Sequence, residues 1–310
     1  MNDTAIAEPD KDAWADVLQW HFAVVGLEIG QNHFDIADGV SIRRIQHLPS
    51  PETIANCLSN PVAIGLFQHY AKLRMLRYEL VIDLEYLEED IPIPELADFI
   101  VTSIGVRTSS DLFCLAACER SWGQFTDSTS KTYLARIENA PYVTSLDEPI
   151  AITEDELHWV EENFASMLKL TEMSPFAIAF KSYSAQMHCP DPRMATTQIW
   201  AGIESLIQGR FQASYSLSLL TALLLEPKGP NCEKRRQAIR SMYDRRSDIV
   251  HGREVKDATL ATHVVEARRL LAELLCKFIE LGKIFDKKEI HKIATEVSDA
   301  SELAPLTNNK

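Results

Sequence analysis

The chain has 310 residues, 46% of them hydrophobic and 25% charged, with 45 Asp and Glu against 31 Lys and Arg and a formal net charge of −14. That length predicts two domains, each able to bury a sizeable core, and the composition is ordinary for a folded soluble protein. The acidic balance argues against a protein that simply coats nucleic acid, because affinity for phosphate comes largely from Lys and Arg.

The start of the chain, Met1-Asn2-Asp3-Thr4-Ala5, lacks the basic opening and apolar core of a signal peptide. The longest apolar run, around Leu217 to Leu225, is interrupted by Ser218 and Thr221 and is too short to span a bilayer. A cytoplasmic protein without a membrane partner is the expectation. The six cysteines, Cys57, Cys114, Cys118, Cys189, Cys232 and Cys276, include no C-x-x-C pair, which in a cytosolic chain points to free thiols. Cys114 and Cys118 are spaced to share a helix face, with His188 and Cys189 as further conceivable ligands, but the second organised pair that structural zinc needs is not visible. No metal and no cofactor are therefore expected.

In chain order, the first half reads as mixed α and β. His21 to Ile29 and Val40 to Ile45 have strand character, with a turn at Gly30-Gln31-Asn32 between them. Pro61 to Leu76 predicts a helix with proline in its first turn. Tyr78 to Tyr86 alternates partly, as a strand does; Glu95 to Val106 predicts a helix, and Ser110 to Cys118 and Ser130 to Ile137 further strands. Between Glu79 and Asp98 lie eight acidic residues and no Lys or Arg. No nucleotide-binding glycine loop is present, so a recognition or regulatory domain, or a scaffold for assembly, is expected over 1–150.

Pro141, Asp147, Glu148 and Pro149 mark a boundary near Ser145 to Ile152. Thr153-Glu154-Asp155-Glu156 then has the form of a capping box, and Leu157, Val160, Phe164 and Met167/Leu168 follow at helical spacing. Helices are predicted over Phe176 to Met187, Asp191 to Gln208, Tyr215 to Leu225, Glu233 to Val250 and Asp257 to Phe285, giving an all-helical domain over 151–297. A polar tail over 298–310 is expected to be mobile.

The sharpest functional signal lies at the end of one of these helices, in Tyr243-Asp244-Arg245-Arg246-Ser247-Asp248-Ile249-Val250-His251-Gly252. Arginine keeps its charge while histidine titrates near neutrality, so the pair joins phosphate stabilisation to proton transfer, a combination suited to cleaving RNA without a metal. The segment Glu233 to Lys256 carries eight basic residues, Arg240, Arg245, Arg246 and Arg253 among them, against four acidic ones. Most such side chains form the solvated face of a helix. Ile239, Met242/Tyr243, Arg246 and Ile249/Val250 step by three or four, so the apolar stripe passes through Arg246, which then needs a partner. Glu204, on the apolar side of its own helix near Trp200, Ile203 and Ile207, is the best partner, and such a pair could serve only to tie two helices together. Arg245 points about 100° away from Arg246, toward solvent.

His251 sits at the helix end with Gly252 as the stop. Five residues of regular helix separate it from Arg246 by about 140° around the axis. Either the last turn is distorted or the pair is assembled from two chains. The alternative role for His251 is a helix cap, favoured at the negative end of the helix dipole. The other eight histidines form no metal constellation, and His263 lies on the apolar side of the last long helix. The five tryptophans are too dispersed for a base-stacking platform.

Together, the Thr196 to Ile207 helix with Trp200 and Glu204, the Tyr215 to Leu225 run and the Arg246-Ser247-x-x-x-His251-Gly252 segment resemble the Apea-like branch of the HEPN superfamily, all-helical domains common in prokaryotic defence and toxin systems. The resemblance covers roughly residues 150 to 290. It implies an all-α helical bundle there, which with the mixed α/β N-terminal domain read above makes an α+β protein, and a homodimer whose motifs meet in one cleft. It further implies metal-independent RNA cleavage by Arg246 and His251, supported by Ser247, Glu204 and Tyr243, with Arg240, Arg245 and Arg253 as RNA contacts. The products implied are a 2′,3′-cyclic phosphate and a 5′-hydroxyl. In HEPN toxins silenced by a nucleotidyltransferase, a tyrosine two positions beyond the histidine is modified; Arg253 stands there, which argues against that control. A protein trigger or antitoxin is a conceivable partner. The competing reading is a non-catalytic HEPN module that binds RNA or protein.

Overall fold

A computed structural model describes residues 17–57, 61–86, 92–124, 132–133, 149–207, 213–285 and 289. Half of the Ser145 to Ile152 boundary segment, most of the Ser130 to Ile137 strand and the tail from Ser298 lie outside them. The protein is α+β, with one antiparallel sheet, a two-stranded parallel pair and nine α-helices among the described residues. The chain divides into two compact units. Of the described residues, the first holds those up to Val101 together with 112–133 and 149–161; the second holds Thr102–Asp111 and those from Glu162 onward.

The first unit contains β1 (Gln19–Val25), β2 (Leu27–Ile29), β3 (His33–Ala37), β4 (Val40–Arg44), β5 (Leu76–Asp83), β6 (Phe113–Cys118), β7 (Thr132–Tyr133) and β8 (Ile150–Ile152). The sheet order is β3-β4-β5-β1-β6-β7, antiparallel throughout. In β1 and β6 nearly every side chain is buried, which is why Phe22–Val25 and the whole of β6 run apolar instead of alternating, with His21 as the buried polar exception. Edge strand β3 does alternate, with Phe34 and Ile36 buried and His33 and Asp35 exposed.

Three local differences from the sequence expectations have physical causes. The run from His21 to Ile29 is two strands, because at Gly26 the chain stops pairing with β5 and β6; Gly26 donates to the Met75 carbonyl, and its own carbonyl accepts from Ile150. Beyond that break β2 pairs in parallel with β8 in register Leu27↔Ile150. Helix α1 (Pro51–Cys57) was not foreseen, although Ser50 caps it by accepting from the Thr53 amide at 3.1 Å. Cys114 and Cys118 lie on strand β6 and are buried, so they do not share a helix face. Among the described residues, no group of three or more His, Cys, Asp or Glu is placed to hold a metal ion, and no helix is long and apolar enough to cross a membrane.

Helix α2 (Pro61–Lys72) and the start of α3 (Ile93–Thr108) complete this unit, with the first two turns of α4 (Glu154–Thr171). The capping box is formed as the residues imply: Thr153 N–H donates to Glu156 Oε2 at 2.8 Å and the Glu156 amide to Thr153 Oγ1 at 3.3 Å.

Within the sheet, Glu79 on β5 is 2% exposed. It accepts from Ser121 Oγ and from the Trp122 amide, each at 2.8 Å, and His21 Nδ1 lies 3.3 Å away but poorly aligned for a hydrogen bond. Burial alone would raise the Glu79 carboxyl; the His21 ring, the Trp122 amide and the Ser121 hydroxyl outweigh it and hold the carboxyl below its ordinary value. A carboxyl depressed in the folded state adds stability that is present above the unfolded value, about 4.3, and is lost as pH falls through the folded one. Urea unfolding midpoints should therefore fall as pH drops below about 4.3, and Glu79→Gln should cost about 1–3 kcal/mol near neutrality while flattening that acid dependence. An equally steep acid loss in E79Q would refute the assignment.

The second unit is built from the end of α3, most of α4, and α5 (Ser174–Ala185), α6 (Pro192–Ile207), α7 (Ala213–Leu225), α8 (Pro230–Val250) and α9 (Asp257–Leu281). Helix α6 packs against α5, α9 and α8, and α7 packs against α8. Gly202 marks the close crossing: a Cβ there would lie 2.9 Å from Ser182 Cβ on α5 and 3.1 Å from Leu271 Cδ2 on α9. Trp200, Ile203 and Leu206 on α6 and Leu271, Leu275 and Phe278 on α9 are fully buried.

Candidate functional site

Helix α8 is regular from Pro230 to Val250, and its buried side chains are Cys232, Ile239 and Ile249. Arg246 lies on the same stripe, and its guanidinium is held in place by two groups. Nη2 stands 3.2 Å from Glu204 Oε1 of α6, and Cζ lies 5.5 Å from the centre of the Tyr243 ring one turn earlier. The Glu204 contact is an ion pair without good hydrogen-bond alignment, since Glu204 Oε1 and Arg246 Nε are both buried and unmatched.

Behind this pair is an aromatic layer. Tyr243 meets Trp200 edge to face at 5.4 Å, and the Trp200 indole donates to His263 Nε2 at 3.1 Å. Indole nitrogen can only donate, so Nε2 is the unprotonated nitrogen of a neutral ring. Burial, aided by the charge of Arg245, pushes His263 down to about 4, consistent with that state near neutrality. His263 is therefore a buried core acceptor. Burial chiefly, with the Glu204 charge, raises the Tyr243 phenol.

The end of α8 is closed by a Schellman turn. Arg253 N–H donates to Asp248 O at 3.0 Å and Gly252 N–H to Ile249 O at 3.2 Å, with Gly252 at φ +72°, where a Cβ would be strained. His251 is the capping residue, exposed, and its ring meets no hydrogen-bond or ion-pair partner among the described residues. Its N–H donates to Ser247 O at 3.0 Å. Since the helix stays regular to Val250, Arg246 and His251 project about 140° apart, and no hydrogen bond or ion pair joins them within one chain. Ser247 is partly buried between them in sequence.

Most of the basic run is answered by carboxylates. Arg245 donates to Glu266 at 2.8 Å, Arg253 pairs with Asp248, Arg235 with Glu273 and Arg236 with Glu233. Of the three RNA-contact candidates, Arg240 alone is exposed without an ion pair among the described residues. The positive potential suggested by composition is thus reduced locally by α6, α9 and α8 itself.

Sequence reasoning passed over Arg193. Asp191 caps α6 through its Oδ1, which accepts from the amides of Arg193 at 2.8 Å and Met194 at 3.1 Å, with Pro192 at the first helical position. The Asp-Pro start of α6 is legible in sequence; what Arg193 reaches is not. Its Nη1 donates to Ile249 O at 2.7 Å and its Nη2 to Arg253 O at 3.1 Å.

No family model, no curated protein and no solved structure matches this chain.

Proposed function

We propose that the protein is a metal-independent endoribonuclease of HEPN type, acting as a homodimer, in which a mixed α/β N-terminal domain over 1–150 limits or senses and an Apea-like HEPN domain over 151–297 cleaves. The observation that supports it best is the presentation of His251: an exposed imidazole on a locked helix end, one and a half turns from an arginine braced by Glu204 and Tyr243. In this reading His251 takes the proton of an RNA 2′-hydroxyl, the oxygen attacks the adjacent phosphorus, and the bond to the 5′-oxygen breaks as that oxygen takes a proton from water. Arg246 stabilises the charge on the phosphoryl oxygens, and Ser247 and Arg240 contact the RNA backbone. The 140° separation is bridged by a second chain, whose motif faces the first. Growth arrest in a prokaryotic defence or toxin-like setting is the biological role that goes with the resemblance, with a protein trigger or antitoxin as its control.

A second reading is favoured by a specific observation, the pairing of Arg235, Arg236, Arg245 and Arg246 of α8 with Glu273, Glu233, Glu266 and Glu204, and of Arg253 beyond it with Asp248. It is a non-catalytic module that binds RNA or a protein partner. Incubation of wild type and His251→Ala with total RNA in EDTA, followed by mapping of new ends and assay of cyclic phosphates, separates the two. Cleavage by wild type alone supports the nuclease; no cleavage by either supports the binding module. Mixing the inactive R246A and H251A proteins should restore part of the activity if each site draws on two chains.

A further inference from the structure

We propose that Arg193 is the positioning residue for His251. This rests on the nuclease reading for its catalytic consequence, and on the hydrogen bonds alone for the placement. A Schellman turn satisfies the last helical carbonyls from within, yet leaves the chain beyond its glycine free to pivot. Here that pivot is blocked from outside. The Arg193 guanidinium bonds Ile249 O, two residues before His251, and Arg253 O, two residues after it. The imidazole is therefore carried on a segment held at both ends by one rigid planar fork, a geometry that a lysine, a single point donor, does not reproduce.

The fork is itself anchored. Asp191 fixes the Arg193 backbone at the second position of α6, so the guanidinium reaches the end of α8 from a capped helix start and not from a loop. It also sets a permanent positive charge against the C-terminal carbonyls of α8, where the helix dipole favours a cation. The same α6 carries Glu204, which holds Arg246. One helix thus locates both members of the motif, Arg246 through Glu204 and His251 through Arg193.

The test compares wild type, Arg193→Met and Arg193→Lys. Amide hydrogen exchange at Gly252 and Arg253 should speed up at least tenfold in R193M, with R193K in between, while exchange in the middle of α8 is unchanged. In RNA cleavage, R193M should lower kcat by about 10- to 100-fold with KM unchanged, because a misplaced group costs rate and not binding, and R193K should recover part of it. Wild-type exchange at the turn in R193M overturns the placement. Faster turn exchange together with wild-type kcat in R193M overturns the catalytic consequence. If wild type itself does not cleave RNA, the nuclease reading fails, and the exchange measurement alone still decides whether Arg193 sets the turn.

Discussion

Arg268→Met is expected to lower the stability of the helical unit by about 3–5 kcal/mol, the cost of leaving a buried charge without its partner. Arg268 on α9 is 6% exposed and pairs with Asp111, which is 3% exposed. Gln186 donates to the other Asp111 oxygen at 2.9 Å. Beside them the single Tyr183 O–H is shared between the carbonyls of Gly105 at 2.6 Å and Ser110 at 3.0 Å, and burial holds its phenol well above the ordinary value. These bonds fasten Thr102–Asp111, a segment from the first half of the chain, into the helical unit. With Arg268 removed, the Asp111 carboxylate keeps, among the described residues, the Gln186 amide as its side-chain partner. The pair as a whole is a different matter, because an apolar replacement of both members avoids the desolvation of two ions. Asp111→Leu with Arg268→Met should therefore be more stable than Arg268→Met alone. Urea unfolding followed by helical circular dichroism measures both; a loss below about 1 kcal/mol in R268M would show that water or a rearranged side chain compensates Asp111.

The second large effect concerns the motif and rests on the proposed nuclease reading. On that reading His251→Ala and Arg246→Ala should each reduce RNA cleavage by about 10²- to 10⁴-fold, the range for losing a proton-transfer group or a charge-stabilising donor. Stability decides how such a loss is read. The Arg246 and Glu204 side chains are 20% and 39% exposed, so the ion pair is worth only about 0.2–1 kcal/mol. R246A is therefore expected to stay folded at 25 °C, which the melt checks, and a hundredfold loss in folded protein would not come from unfolding. If Arg246 merely ties α8 to α6, R246A and Glu204→Gln should instead change the melting temperature together and leave cleavage per folded molecule as it was. Thermal melts run beside the cleavage assay separate these outcomes.

How far the sequence carried depended on the range of the interaction. The capping box at Thr153 and Glu156, the helix start at Asp191-Pro192, the stop at Gly252 and the stripe through Ile239, Arg246 and Ile249 all involve residues a few positions apart, and all are present. They rest on local hydrogen bonds and on the 3.6-residue period, which any reader of the chain can count. The strands were legible in outline, but the break at Gly26 was not, since it comes from the pairing of β2 with β8, more than a hundred residues away.

For the candidate site, the sequence by itself determined that Arg246 lies on a buried stripe, that His251 ends its helix, and that the two project to different sides of it. The tertiary structure alone decided that Glu266 neutralises Arg245, that His263 is held neutral beneath Trp200, and that Arg193 grips the turn around His251. These partners are separated from one another by 21 to 63 residues. Helix packing brings them together, and the gain from burying apolar faces, summed over the whole core, sets that packing more than any single charged pair does.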